Sequence, residues 1–162
     1  MIKIGVKIKK YKDQLGAFVT KKIKKGSIIF IYTDPSHAMT IKETDLIQLL
    51  KEKDQRAILT GCRFIYDEFI MDEILPEKLP KSYYINHSFK PNVLYHCGIG
   101  FALRDIEKDE MLTVNYEYLL SETDFENFID WETGKVVKGL SGLESLTRST
   151  EELLRLLWAL DD

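Results

Sequence analysis

Apolar and polar positions alternate from the first residues of the chain. Ile2, Ile4, Val6 and Ile8 are interleaved with Lys3, Gly5, Lys7 and Lys9. A period of two with β-branched residues predicts a half-buried strand. Asp13-Gln14-Leu15-Gly16 predicts a turn, and Ala17-Phe18-Val19 a second short strand. Lys24-Lys25-Gly26-Ser27 then turns the chain into Ile28-Ile29-Phe30-Ile31-Tyr32, a third strand that is apolar on both faces. Thr40 and Glu43 stand at capping-box spacing ahead of Leu46, Ile47, Leu49 and Leu50, which predicts a short helix over 41–52. Phe64-Ile65-Tyr66 and Phe69-Ile70-Met71 flank Asp67-Glu68 and predict a strand or hairpin. After a break at Pro76–Pro80, residues 99–104 and 111–114 predict further strands. At the far end Leu153, Leu154, Leu156, Leu157, Trp158 and Leu160 predict a helix over 150–160, introduced by Ser149 and Glu152 at capping-box spacing. Its polar side is thin, so it must dock, either on its own domain or on a second copy.

Many short strands joined by turns, with little helix, predict a mostly β (α+β) domain. The chain shows no βαβ alternation and no GxGxxG after a strand, which argues against a Rossmann-type nucleotide fold. Its 162 residues, 44% hydrophobic and 30% charged, suit one soluble domain with a small appendage. No apolar run reaches 18 residues, so no membrane span is expected, and no signal peptide is visible. Cys62 and Cys97 form no CxxC pair, and with His37, His87 and His96 they do not supply a zinc set. Two free thiols fit a reducing, intracellular compartment, cytoplasmic or nuclear, with a secreted effector left open.

The net charge of −3 hides an uneven distribution. Residues 1–25 carry nine lysines against Asp13 alone, whereas residues 121–162 carry ten acids against four bases. The lysines are interleaved with aliphatics rather than aromatics, which favours a solvated strand face over direct nucleic-acid binding. The acidic end can attract a lysine-rich substrate or the basic end of another copy.

The candidate chemistry lies in Asn86-His87-Ser88-Phe89-Lys90-Pro91-Asn92, followed by Leu112-Thr113-Val114-Asn115-Tyr116. In this order, with the strand-like 101–106 between them, the two motifs closely resemble the SET domain of protein-lysine methyltransferases. The resemblance implies a β-clip fold of several short sheets with a knot-like C-terminal crossing. It spans 1–118, with 33–82 as a variable insert bearing the short helix and 119–162 as a C-terminal extension. It implies S-adenosylmethionine as cofactor, S-adenosylhomocysteine as product, and a protein or peptide lysine as substrate, such as a histone or another basic protein. Asn86, His87 and Tyr84 would contact the cofactor, and Pro91 and Asn92 would complete that turn. Gly16, Ala17 and Phe18 match the early Gly-x-Gly-x-Phe cofactor loop. Tyr116 matches the catalytic tyrosine, and Tyr32 and Tyr95 would line the lysine channel.

Chemistry agrees with these residue types. Methyl transfer from a sulfonium to an amine is an in-line displacement that needs alignment and a neutral amine, not a metal. A narrow apolar channel disfavours the ammonium form of lysine. Tyrosine offers a packing face and a hydrogen-bonding tip. Tyr116 and Tyr118 are expected on the same side of an extended segment.

Three positions depart from the family pattern. Gln14 stands where the first loop glycine usually lies, and it strains the loop if that position needs positive φ. Phe89 replaces a common cysteine, and Asn115 a frequent aspartate. Phe125, Phe128 and Trp131 follow the catalytic segment, with Trp131 a candidate to stack on adenine. The alternative reading is a non-catalytic SET-fold protein-interaction module. For the C-terminal helix, docking on its own domain and a homodimer contact through it both stay open.

Overall fold

The computed structural model describes residues 2–12, 14–31, 38–52, 63–65, 68–72, 81–120, 122, 128–130 and 132–161. Two of the predicted site residues, Tyr32 and Trp131, lie outside them, as do His37, Cys62 and Phe125.

β1 (Val6–Tyr11) and β2 (Gln14–Val19) form an antiparallel hairpin, in register from Val6 opposite Val19 to Tyr11 opposite Gln14. The predicted turn at 13–16 is therefore shorter. Gln14, Leu15 and Gly16 are strand residues, and Lys12 takes the left-handed bend at φ +53°. Gln14 carries no positive φ, so the expected strain at that position is absent. The first strand also starts later than its alternating pattern, and Ile2 instead bridges to Phe30.

β3 (Ile28–Ile31), β8 (Val93–His96) and β9 (Ile99–Ala102) build an antiparallel sheet in the order β3-β9-β8. β4 (Ala38–Ile41), β5 (Arg63–Ile65) and β6 (Glu68–Asp72) build a second, in the order β4-β6-β5. α1 (Glu43–Lys51) follows β4 and buries Leu46. Its N-cap is Lys42 without a side-chain cap, and Thr40 lies in β4 opposite Ile70, so the expected Thr40–Glu43 box does not form.

The third predicted feature, the crossing, falls where β7 (Asn86–His87) runs parallel to β10 (Thr113–Val114). Parallel neighbours need a long connection, and here β8 and β9 supply it. The β1–β2 hairpin is stapled across this crossing by backbone bonds from Leu112 N to Ala17 O (2.8 Å) and Val19 N to Glu110 O (3.0 Å). The core gathers at the junction: Ala17, Val19, Ile29, Val93, Ile106, Leu112 and Val114 are at most 2% exposed. Burial of this kind contributes on the order of 25 cal/mol per Å² of apolar surface.

β11 (Phe128–Ile129) pairs with β12 (Val136–Val137). α2 (Gly142–Asp161) closes the chain and begins two turns before the predicted 150. Ser141, not Ser149, caps it, its Oγ accepting from Glu144 N at 3.2 Å. Ser149 instead sits mid-helix, buried, within 2.9 Å of His96 Nδ1.

Candidate functional site

The polar groups of Asn92, Ser88 and Glu110 at the crossing have short reach and fixed partners. Asn92 is 2% exposed. Its Nδ2 donates to Met111 O (2.7 Å) and Glu110 Oε1 (3.1 Å), and its Oδ1 accepts from Thr113 N (2.9 Å). A buried amide satisfied at both ends ties the Pro91-Asn92 turn to the strand that leads into Tyr116. Glu110 is itself held by Arg104 and by the backbone N–H of Glu107. The Arg104 hydrogen bond, outweighing partial burial, keeps its carboxyl below the usual range. Ser88 completes the motif: its N–H donates to Val114 O at 3.0 Å and its Oγ accepts from Lys90 N at 3.0 Å.

Tyr116 is clamped at both ends. Its backbone N–H donates to His87 Nδ1 at 3.0 Å, and its hydroxyl donates to Ile85 O at 2.8 Å. The sequence places Tyr116 and Tyr118 on an extended segment, but the chain turns there into a 3-10 helix, Tyr116–Tyr118. Asn115 causes the turn, its side chain accepting from Glu117 N (3.1 Å) and donating to Glu117 Oε2 (2.8 Å). The two tyrosines consequently diverge. Tyr118 gives its hydroxyl to Glu152 Oε1 of α2, and burial first, then that carboxylate, pushes its pKa well up.

His87 is an inward-facing side chain, 8% exposed. Accepting from Tyr116 at Nδ1 puts the proton of the neutral ring on Nε2. Nε2 is buried without a partner and faces Asp130 Oδ1 at 4.0 Å, beyond hydrogen-bond reach. Burial lowers the His87 pKa, against the raising influence of Asp130 and Glu117. Asp130, 3% exposed, is pushed up by burial, but hydrogen bonds from Thr133 and the nearby His87 bring it below the ordinary carboxylate value. The sequence reasoning missed Asp130, because an Asp followed by Thr133 and Gly134 reads as turn chemistry. It did serve as that turn: Thr133 N donates to its Oδ2 at 2.8 Å.

The loop side of the site centres on Gly16. A Cβ there would lie 2.6 Å from Met111 Sδ and 3.2 Å from both Asn86 Nδ2 and Phe18 Cε2. Only a residue without a side chain lets the hairpin approach this closely. Asn86 Nδ2 donates to Leu15 O at 3.1 Å, joining the Gly16 loop to the Asn86-His87 turn. Ala17 is fully buried and its carbonyl is used by Leu112. Phe18 is half-buried, with Lys9 Nζ 5.4 Å from its ring centre.

Tyr84, in the 3-10 helix Lys81–Tyr84, packs with Tyr95 and Tyr116 against the same core. Tyr95 stacks on Phe30 at 6.3 Å, and Gly100 makes room for that ring. The structure thus brings Gly16, Asn86, His87 and Tyr116 into one connected unit. Tyr84 and Tyr95 border the same core.

The lysine-rich N-terminus is partly neutralised by the turn before β10. Lys9 pairs with Asp109, and Lys22 with Asp105 and Glu107. These exposed pairs contribute little to stability, but they account for part of the positive charge. No helix among the described residues is long and apolar enough to cross a membrane.

With this geometry in hand, comparison with known proteins defines the class. The family model of the SET domain matches residues 14–117, or 104 of the 162 residues, and the chain belongs to that family. A crystal structure of a Plasmodium falciparum protein, named provisionally as a histone methyltransferase, is similar at 20% identity and a TM-score of 0.44. The match covers 71% of this chain and 95% of that one. No curated protein matches the chain.

Proposed function

We propose that this SET-domain protein transfers a methyl group from S-adenosylmethionine to the ε-amine of a lysine in a protein substrate. The observation that carries the reading is Tyr116, fixed by His87 at its backbone and by Ile85 O at its hydroxyl. The hydroxyl spends its one proton on Ile85 O. A tyrosine oxygen that donates its proton can in turn accept from an incoming amine and orient the nitrogen. Orientation is the principal need of an in-line transfer.

The residues around Gly16 fit an amino-acid cofactor. The absent Cβ lets the β1–β2 hairpin close onto Met111 and Asn86, and the Asn86 amide has its Nδ2 committed to Leu15 O. That leaves Oδ1 as an acceptor suited to an ammonium group. Gly16, Asn86 and the His87 turn would hold the cofactor. When bound, it supplies a sulfonium methyl and a positive charge that disfavours a second cation nearby. Tyr116 would align the neutral amine, and Tyr84 and Tyr95 would supply apolar walls that exclude water.

Gln14 and Asn115, two of the departures from the family pattern, both have structural work. Gln14 is an unstrained strand residue, and Asn115 caps the turn that sets Tyr116. Neither weighs against turnover. The substrate class follows from the chemistry of the transfer and the acidic C-terminal segment: a basic, lysine-bearing protein, such as a histone.

The test is transfer of labelled methyl from S-adenosylmethionine to a mixture of basic proteins, with Tyr116→Phe alongside. The wild type labels lysine, and a folded Tyr116→Phe loses about 100-fold in rate. Full activity in that variant would remove Tyr116 from its assigned role. No labelling by the wild type, with cofactor bound, would favour the interaction module.

A further inference from the structure

We propose that α2 pairs antiparallel with α2 of a second copy of this chain, about a two-fold axis at Thr150. One side of the helix is already used. Leu156 and Ser149 are buried, Ser149 meets His96 of β8, and Glu152 takes the Tyr118 hydroxyl. A different strip carries Leu143, Leu146, Leu154 and Leu157, which remain 77, 48, 42 and 48% exposed. With Thr150 these residues fall within about 80° of one another around the helix. A leucine strip of that length on a surface helix signals a partner.

The order of the strip says which partner. From Leu143 the steps run three, four, four and three residues to Leu146, Thr150, Leu154 and Leu157. The sequence of steps is the same read from either end. An isologous contact suits such a surface, since residue i of one copy meets j of the other and j meets i. Reversal about Thr150 places Leu143 on Leu157 and Leu146 on Leu154.

Polar groups along the strip do not oppose burial. The Thr150 hydroxyl donates to Leu146 O (2.7 Å) and the Thr147 hydroxyl to Leu143 O (2.9 Å), leaving methyl groups outward. The charged residues Glu144, Arg148, Glu151 and Arg155 pair along the helix and lie outside the strip. The exposed parts of the four leucines and Trp158 amount to on the order of 500 Å² per copy, against about 800 Å² for a standard interface. With Thr147 and Leu160 at the rim, the surface suits a dimer that forms at micromolar concentration. The pairing does not depend on catalysis.

Sedimentation of the full chain over a wide concentration series tests it. The wild type shifts reversibly from monomer to dimer, and Leu143→Glu raises the dissociation constant by at least about tenfold. Leu143 is so exposed that this variant leaves the folded monomer unchanged by circular dichroism. In a Cys62→Ser, Cys97→Ser background, Thr150→Cys gives a disulfide-linked dimer with oxidised glutathione, and Arg148→Cys does not. A monomer at every concentration overturns the proposal. So does a dimer insensitive to Leu143→Glu, which would place the contact elsewhere.

Discussion

At the β7–β10 crossing, Asn92 is 2% exposed, with both ends of its amide bonded to backbone or to Glu110. Along α2, by contrast, Leu156 and Ser149 are buried while four leucines and a tryptophan stand in solvent. The crossing is held by directional bonds between short side chains, and the helix by a narrow docked face. Directional bonds fix atoms to tenths of an ångström, which is what a transfer reaction needs. A narrow apolar face fixes less and leaves surface for assembly. The two regions meet at Tyr116–Tyr118, where one tyrosine turns into the site and the other into the helix.

The largest expected effect lies in the crossing. Asn92→Ala leaves Thr113 N–H and Met111 C=O without their partners and should cost about 3 kcal/mol in denaturant unfolding. An effect as small as that of a surface substitution would mean the crossing is held by packing alone. Gly16→Ala comes next. Its new methyl displaces Met111 and crowds Asn86, with an expected loss of about 1–3 kcal/mol and weaker cofactor binding. Calorimetry against thermal unfolding separates the two effects.

Tyr118→Phe probes the other region. It removes the hydroxyl bond to Glu152 but keeps the ring, and should cost about 1 kcal/mol while leaving cofactor affinity unchanged. A large loss of activity would show that α2 supports the site.

The pH dependence is smaller still and belongs to His87. Its folded pKa lies below the ordinary histidine value of about 6.5. Between those two values the unfolded chain binds the extra proton, so stability contributed by the neutral ring is complete above about pH 6.5. It is lost as pH falls toward the lowered value. Protonation also sets an Nδ1–H against the Tyr116 N–H, so activity should fall over the same range. His87→Asn, which retains an acceptor without titrating, should flatten that limb of the profile.

Much of this was legible in the residues themselves. Strand alternation found the β-rich class, and the family resemblance carried by Asn86-His87 and Leu112–Tyr116 implied the crossing. What was hidden depends on contacts distant in sequence. Ser149-x-x-Glu152 and Ser141-x-x-Glu144 have the same capping spacing, and only the packing of Ser149 against His96 tells them apart. The first helical turns carry Leu143 and Leu146, but Gly142, Ser145, Thr147, Ser149 and Thr150 dilute the leucine pattern there. Period two over Tyr116-x-Tyr118 failed because the side chain of Asn115 competes for the backbone. The family resemblance implied that His87 contacts the cofactor; that its side chain supports Tyr116, a contact across 29 residues, was not legible. Asp130, buried beside His87, has no sequence signal beyond its turn.

The central claim is that Gly16, Asn86 and the His87 turn form a cofactor pocket. Calorimetric titration of the purified chain and of Asn86→Ala with S-adenosylhomocysteine tests it without knowledge of the substrate. The account predicts saturable one-site binding by the wild type, weakened about tenfold or more in the folded variant. Equal affinity in the two proteins, or no binding by a folded wild type, would contradict it.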